Sequence, residues 1–265
     1  MAAEPATYRH RFSLSGRPMT IETAVIIACA YFIAAFVKGA TGLGFSTSAL
    51  PVMTLGLGLK SAMPLVIIPS VVSNVIVMFQ AGHFRETVRR FWPMFLSTIP
   101  GLIVGLLILD RVNGLVAGAV LGTVLILYGV ITISRPAIHI SDRLAKRIAP
   151  ISGFLTGLIN GVTGSQVMPI LPFFLSLRLD PKRFVQGVNI SFTLSSLIMA
   201  AGLSRIGLMT WHSVWISLAG LIPVFIGVKA GSYVRARLEA ETFRKLVLIM
   251  LILFGIILIG KALLA

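Results

Sequence analysis

The chain has 265 residues, of which 57% are hydrophobic and 12% are charged, and its formal net charge is +15. Soluble domains carry about twice this share of charged residues, and apolar runs of about 18 residues or more, as recur here, are typical of transmembrane helices. The composition therefore predicts a polytopic integral membrane protein with an all-α fold, and it excludes a separate soluble catalytic domain.

The positive charge lies mostly between the apolar runs. Basic residues in such positions set the orientation of a membrane protein and contact anionic lipid headgroups. We therefore expect the lipid bilayer, and not a nucleic acid, as the partner of this charge. The single cysteine, Cys29, excludes an internal disulfide and a cysteine metal cluster. No cofactor and no metal site are expected.

The apolar runs fall into two halves. Residues 1–20 form a polar, basic tail, and the chain begins either at Met1 or at Met19, just before the first run. The first membrane repeat spans 21–134 and the second spans 148–265, with a basic connecting loop at 135–147 between them. The predicted segments are 22–37, an interruption at 39–44, a piece to 58, 61–80, 91–109, 113–134, then 149–159, a second interruption, 167–178, 183–203, 211–234 and 243–264.

Each half contains a glycine-rich interruption, KGATGLG at 38–44 and NGVTGSQ at 160–166. Glycine costs about 1 kcal/mol relative to alanine in a helix interior. Broken backbone inside a membrane is tolerated only where it is buried in protein or lines a cavity. The alternative is that these glycines let helices pack closely. Two copies at matching positions favour a functional break.

The two halves repeat at an offset of 122 residues. This offset places Gly39 on Gly161 and Thr41 on Thr163, and one added residue then places Trp92 on Trp215. We therefore predict two homologous repeats, each a Gly-broken helical hairpin followed by three transmembrane helices.

The topology depends on the broken segments. If each crosses the membrane once, the Lys and Arg residues are divided more evenly between the two sides. If each enters and returns as a hairpin, the loops near 85–90, 135–147, 178–183 and 235–245 share one side with most of these residues. The positive-inside rule favours the hairpins and places those loops in the cytoplasm. Three full crossings per half would make the repeats inverted.

Hairpins in inverted repeats bring two helix breaks together near the middle of the bilayer, where secondary transporters bind substrates. The half-helix after a break attracts an anion with its free N–H groups and its dipole. The predicted substrate-binding residues are Lys38, Gly39, Thr41, Gly42, Gly44, Asn160, Gly161, Thr163, Gly164, Ser165 and Gln166. Polar residues in the following spans are predicted to line the cavity: Ser73, Asn74, Asn189, Ser195 and Ser196.

Lys38 points to the charge of the substrate. A charge embedded in the membrane costs several kcal/mol unless it finds a partner or water, so Lys38 either faces an anion or extends to the interface. All eight acidic residues fall in the tail, in loops or at segment ends. The carboxylates that build most cation and proton sites are therefore missing from the spans, and we predict a small anionic substrate.

These residues resemble the TauE/SafE family of sulfite-exporter-like permeases. The resemblance covers roughly residues 22–264 and depends on 38–51 and 160–172, each a Gly-rich break followed by a proline, Pro51 or Pro172. It implies a permease of the bacterial inner membrane for sulfur-containing anions such as sulfite or organosulfonates. The second break has fewer glycines than is usual in the family, which leaves the choice of anion open.

Three alternatives accompany this prediction. The chain could instead carry a different small organic anion, or be an accessory membrane subunit without transport of its own. An intramembrane enzyme would need a nucleophile with its base or a set of metal ligands, and neither His-Glu-x-x-His nor paired acids occur in the spans. We therefore predict no catalytic residues and no enzyme activity. A homo-oligomer is compatible with the sequence.

Overall fold

The computed structural model describes residues 20–41, 44–134, 139–235 and 240–265. Within these ranges the chain forms helices and no strands, which confirms the all-α prediction. The helices are α1 (Ile21–Thr41), α2 (Phe45–Leu57), α3 (Leu59–Ala81), α4 (Phe84–Arg111), α5 (Gly114–Ser134), α6 (Asp142–Thr163), α7 (Ile170–Leu175), α8 (Pro181–Arg205), α9 (Trp211–Ala219), α10 (Leu221–Arg235) and α11 (Ala240–Leu263). The predicted tail before Thr20 lies outside the described residues.

Seven stretches of the described chain are long and apolar enough to cross a membrane, with α9 and α10 counted as one. Such a stretch needs about 20 residues at 1.5 Å each. This confirms the prediction of a polytopic integral membrane protein. The seven stretches are Ile21–Ala40, Leu59–Ala81, Phe84–Arg111, Gly114–Ser134, Pro181–Arg205, Trp211–Val234 and Lys245–Leu263.

The predicted connecting loop at 135–147 is too long at its C-terminal end. Helix α6 already begins at Asp142, and the Ser141 side chain caps it by accepting a hydrogen bond from the Leu144 N–H at 3.4 Å. A serine cap followed by an acidic first residue is a local helix signal. The hydropathy pattern places the basic residues that follow in a loop. In the structure they form the exposed first turns of α6.

Three chain connections meet at one end of the bundle, which we call the basic edge: 82–83, 139–141 and 176–180. Arg183 pairs with Glu86 at 2.9 Å, and Arg90 pairs with Asp142 at 2.8 Å. Both ion pairs join the first half of the chain to the second. They agree with the predicted grouping of these loops on one side, while its assignment to the cytoplasm stays a prediction.

Asp180 organises the start of α8 at the basic edge. Its carboxylate accepts the N–H groups of Lys182 and Arg183, both at 3.1 Å, and pairs with the Arg183 guanidinium at 2.7 Å. The N–H and the guanidinium of Arg183 hold the pKa of Asp180 below its usual value. The cap and the proline that follows fix the point at which α8 begins.

Both broken segments are hairpins that return to the edge from which they start. A Cβ on Gly56, near the end of α2, would lie 3.1 Å from Ile26, near the start of α1. The Ile140 N–H, just before α6, donates to Ser176 O, just after α7, at 3.3 Å. These contacts show that each broken segment folds back on itself, as predicted for a hairpin. That the segment does not cross the membrane stays a prediction, because α1 alone is long enough to cross one. The inverted relation between the repeats stays a prediction.

The helices of the two halves pack on each other through small residues. Helix α1 lies along α10, α6 along α4, α3 along α8 and α5 along α11. Gly101 and Gly105 of α4 contact the backbone of α6, and Gly227 and Gly231 of α10 contact α1. Glycines at such contacts let two helix backbones approach closely in a membrane. Each hairpin is therefore held by a helix of the other half.

Candidate substrate site at the two helix breaks

The first break separates α1 from α2. Gly44 has φ 89° and ψ 26°, a left-handed conformation that glycine adopts at little cost. The Ser48 N–H donates to Gly44 O at 3.0 Å, which is the first hydrogen bond of α2. The N–H groups of Phe45, Ser46 and Thr47 therefore have no acceptor within the helix. The chain breaks before Gly44 as predicted, but the predicted interruption at 39–44 begins too early, because α1 continues to Thr41. Gly42 and the side chain of Thr41 lie outside the described residues.

The second break ends α6. Gly164 has φ 73°, and its N–H donates to Asn160 O at 2.7 Å. Residues 165–169 are not helical and lead into the short helix α7. The Thr163 hydroxyl donates to Ile159 O at 2.7 Å and accepts the Ser165 N–H at 3.1 Å. Thr163 therefore stabilises this turn, and its hydroxyl is already engaged within the chain.

Gly39 and Gly161 occupy equivalent places in the two hairpins. A Cβ on Gly161 would lie 2.6 Å from Leu102 O and 2.7 Å from the Cα of Gly105, both in α4. A Cβ on Gly39 would overlap the backbone of Val228 in α10. The offset of 123 residues relates Gly105 to Val228, so the two contacts correspond. Close helix packing, the alternative interpretation of these glycines, accounts for both.

Lys38 lies deep in the protein, with 4% of its surface exposed. Its Nζ donates to the Asn74 Oδ1 at 2.7 Å. No carboxylate among the described residues forms an ion pair with it. This burial is inconsistent with a lysine that extends to the interface. Asn74, predicted to line the cavity, is instead the neutral partner of this cation.

A small polar cavity of about 10 Å³ lies at the second break. This is room for about one water. The Gln166 Nε2 donates to the Ser196 Oγ at 2.9 Å, and the hydroxyls of Ser46 and Ser70 are hydrogen bonded to each other. The lining residues are Ser46, Met63, Val66, Ile67, Ser70, Asn160, Gly164, Gln166, Ser196 and Met199.

The side-chain amide of Asn160, which lines this polar cavity, has no hydrogen bond to the described residues. It is fully buried, and neither its Oδ1 nor its Nδ2 has a partner among the described residues. The hydroxyl of the neighbouring Ser165 is also buried without a partner. A buried polar group left in this way costs about 1–3 kcal/mol, so such groups call for an explanation. A bound polar molecule would satisfy them.

A larger cavity of about 240 Å³, which we call the apolar cavity, lies at the first break. Gly44 and the hydroxyl residues Thr47 and Ser48 form its polar wall. The remaining walls come from the second break and α7, from α5, α8 and α11, and from the end of α1. The residues of these walls are Val37, Tyr128, Val167, Leu171, Leu175, Phe184, Phe192, Val247, Leu248 and Leu251.

The family model described as "Sulfite exporter TauE/SafE" matches residues 27–258. The chain belongs to the TauE/SafE sulfite exporter family. Members of this family are transporters, which supports a small anionic substrate and an integral membrane location for this one. No curated protein and no solved structure matches the chain.

The remaining predicted residues of this TauE/SafE protein are only partly brought together. Ser196 lines the polar cavity, whereas Ser73 donates to Ser70 O at 3.0 Å within its own helix. The Asn189 Nδ2 donates to Val185 O at 2.8 Å, and the Ser195 hydroxyl is buried without a partner among the described residues. Ser73, Asn189 and Ser195 line neither of the two cavities.

Sequence reasoning missed four residues that the fold of this TauE/SafE member places at the cavities. Ser46, Thr47 and Ser48 follow the first break directly, and Ser70 lies on α3 opposite Ser46. The signal for the first three was a run of hydroxyl residues in the first turn after a glycine, where N–H groups are free. Ser70 carried no such signal, because its position depends on how α3 packs.

Proposed function

We propose that this TauE/SafE family member is a permease of the bacterial inner membrane that carries small sulfur-containing anions of the sulfite or organosulfonate type. The anion binds beside the two helix breaks, within reach of the start of α2 and of the polar groups at the second break. The family relationship supports transport of an anion. The residues at the breaks support the location.

The burial of Lys38 carries this proposal. A buried cation is stabilised by a partner of opposite charge, and the only partner described for Lys38 is the neutral amide of Asn74. All acidic residues of the chain lie in the tail, in loops or near segment ends. An anionic substrate would supply the missing charge. Val37, the residue before Lys38, lines the apolar cavity, whereas Lys38 itself lines neither cavity.

Two further features favour an anion. The free N–H groups at the start of α2 and the positive end of its dipole attract negative charge. The unpaired amide of Asn160 and the Ser165 hydroxyl offer hydrogen-bond donors that an oxyanion can use. In secondary transporters, the N-termini of discontinuous helices likewise point at anionic groups of the substrate.

The test is flux into liposomes that contain only the purified protein. We expect radiolabelled sulfite or methanesulfonate to enter these liposomes faster than it enters protein-free ones, and we expect the Lys38→Met variant to lose most of this flux. Lys229→Met, which removes an exposed lysine of α10, is the matched control and should transport like the wild type. Absence of flux for every sulfur-containing anion tested would favour an accessory subunit instead.

A further inference from the structure

The apolar cavity is larger than a sulfite ion needs. A cavity of about 150 Å³ lined by apolar side chains is known to accept benzene in another protein, and this one measures about 240 Å³. Leu171, Phe184, Phe192 and Leu248 present hydrocarbon surface to it. Such walls offer nothing to the oxygens of an inorganic anion, whereas they stabilise a hydrocarbon group by removing it from water.

One wall of the apolar cavity is polar. Thr47 and Ser48 are 5% and 1% exposed, and both line this cavity. Both lie in the first turn of α2, a helix of 13 residues, beside the left-handed Gly44. The free N–H groups and the dipole of this turn favour an anionic group at the same wall. The cavity therefore has an anion-binding end and a hydrocarbon-binding end.

We infer that the apolar cavity binds an amphiphilic organosulfonate, with its sulfonate group at Thr47, Ser48 and the start of α2 and its hydrocarbon arm against Leu171, Phe184, Phe192 and Leu248. This inference rests on the proposed function and narrows the substrate class within it. The preferred substrate carries an apolar arm about the size of a benzene ring. Sulfite and methanesulfonate occupy only the anion-binding end.

The first experiment measures affinity against arm length. Methane-, butane- and hexanesulfonate are titrated by calorimetry into the protein in nanodiscs, with empty nanodiscs as the blank. We expect the affinity to rise about threefold to fourfold for each added methylene group, as burial of a CH₂ group predicts. Benzenesulfonate should bind at least tenfold more tightly than methanesulfonate. Neutral benzenesulfonamide should bind more weakly than benzenesulfonate, because it lacks the negative charge.

The second experiment separates the two ends of the cavity. Thr47→Val removes one hydroxyl at constant shape and should weaken benzenesulfonate binding about tenfold, with little change for benzenesulfonamide. Thr54→Val is the matched control on the same helix, because the Thr54 hydroxyl donates to Leu50 O at 2.7 Å away from the cavity. Phe192→Ala should reduce the ratio of benzenesulfonate to methanesulfonate affinity. Thermal unfolding shows whether each variant folds.

The outcomes distinguish this inference from the proposed function. Transport of sulfite and methanesulfonate with no dependence of affinity on arm length would overturn the inference and leave the proposed function in place. No transport of any anion would remove the proposed function itself. A phospholipid that native mass spectrometry finds bound, and that benzenesulfonate fails to displace, would show that a lipid chain fills the cavity and would also overturn the inference.

Discussion

The two helix breaks occupy equivalent places in the sequence repeat, yet their surroundings differ. The first has a buried cation at Lys38, a left-handed glycine directly before a helix of 13 residues, and a wide apolar cavity. The second has Asn160 at the position equivalent to Lys38, several residues outside any helix, and a polar cavity with room for about one water. The two breaks therefore share a left-handed glycine and differ in the side chains around it.

The glycine clusters have two roles, helix packing and cavity lining, and the comparison of the two breaks assigns these roles to different glycines. Gly39 and Gly161 make the same helix contact in both halves, so this role belongs to the scaffold. Gly44 and Gly164 both have positive φ but line different cavities. The charged position is present only at the first break. We therefore expect substrate recognition to be asymmetric, with the charge supplied by the first half and neutral hydrogen bonds by the second.

The largest effect concerns the edges from which the breaks enter. On a Cys29→Ser background, an impermeant thiol reagent in intact cells should label Thr20→Cys, before α1, and should leave Ser141→Cys, before α6, unlabelled. The Cys29 side chain is exposed and must be removed first. Labelling of both positions from the same side would show that the hairpins do not enter from opposite faces.

The next effect is on folding. Gly161→Leu should lower stability by about 3 kcal/mol or more, because the new side chain would overlap the backbone of α4. Gly39→Leu should do the same at α10. Thermal unfolding in detergent measures both. Gly260→Leu is the control, because a Cβ there meets no atom within 4 Å. Normal stability of the Gly161 variant would contradict the packing role.

The affinity for methanesulfonate measures the separate contributions of Lys38 and Asn160. A hydrogen bond to a charged group contributes about 1.5–3 kcal/mol and a neutral one about 0.5–1.5 kcal/mol. Lys38→Met should therefore weaken methanesulfonate binding about ten- to a hundredfold, and Asn160→Leu about tenfold or less. Calorimetry measures both values. Equal losses in the two variants would show that the breaks contribute alike.

The smallest effect is backbone strain at the two left-handed glycines. Gly44→Ala should cost about 1–2 kcal/mol, because an L-residue must adopt positive φ while the space around it is open. Gly164→Ala should cost more, since its Cβ would also lie 2.9 Å from Leu50. Gly207→Ala, with φ 73° and open space, is the control for strain away from the breaks. Equal costs at positions 44 and 164 would remove this difference between the breaks.

The sequence predicted features that depend on local composition. The breaks followed from glycines inside apolar runs, whereas the place of Lys38 at the end of one such run left both burial and extension to the interface open. The partner of Lys38 did not follow, because a membrane helix is apolar on all sides and its pattern does not show which face meets Asn74. The packing role of Gly39 and Gly161 could not be separated from a cavity role for the same reason. The cavities depend on how α2, α7, α8 and α11 meet, which no local pattern records.

The packing of α1 on α10 also sets the order of assembly. The Ser232 hydroxyl of α10 donates to Gly39 O across 193 residues of chain, whereas only α5 lies between α4 and α6 in sequence. At a synthesis rate of about 5–20 residues per second, α1 waits about 10–40 s for its partner after it has left the ribosome. The first break is therefore completed last. Helix α11, which forms one wall of the apolar cavity, is made later still, so this cavity forms only after α11 has joined the bundle.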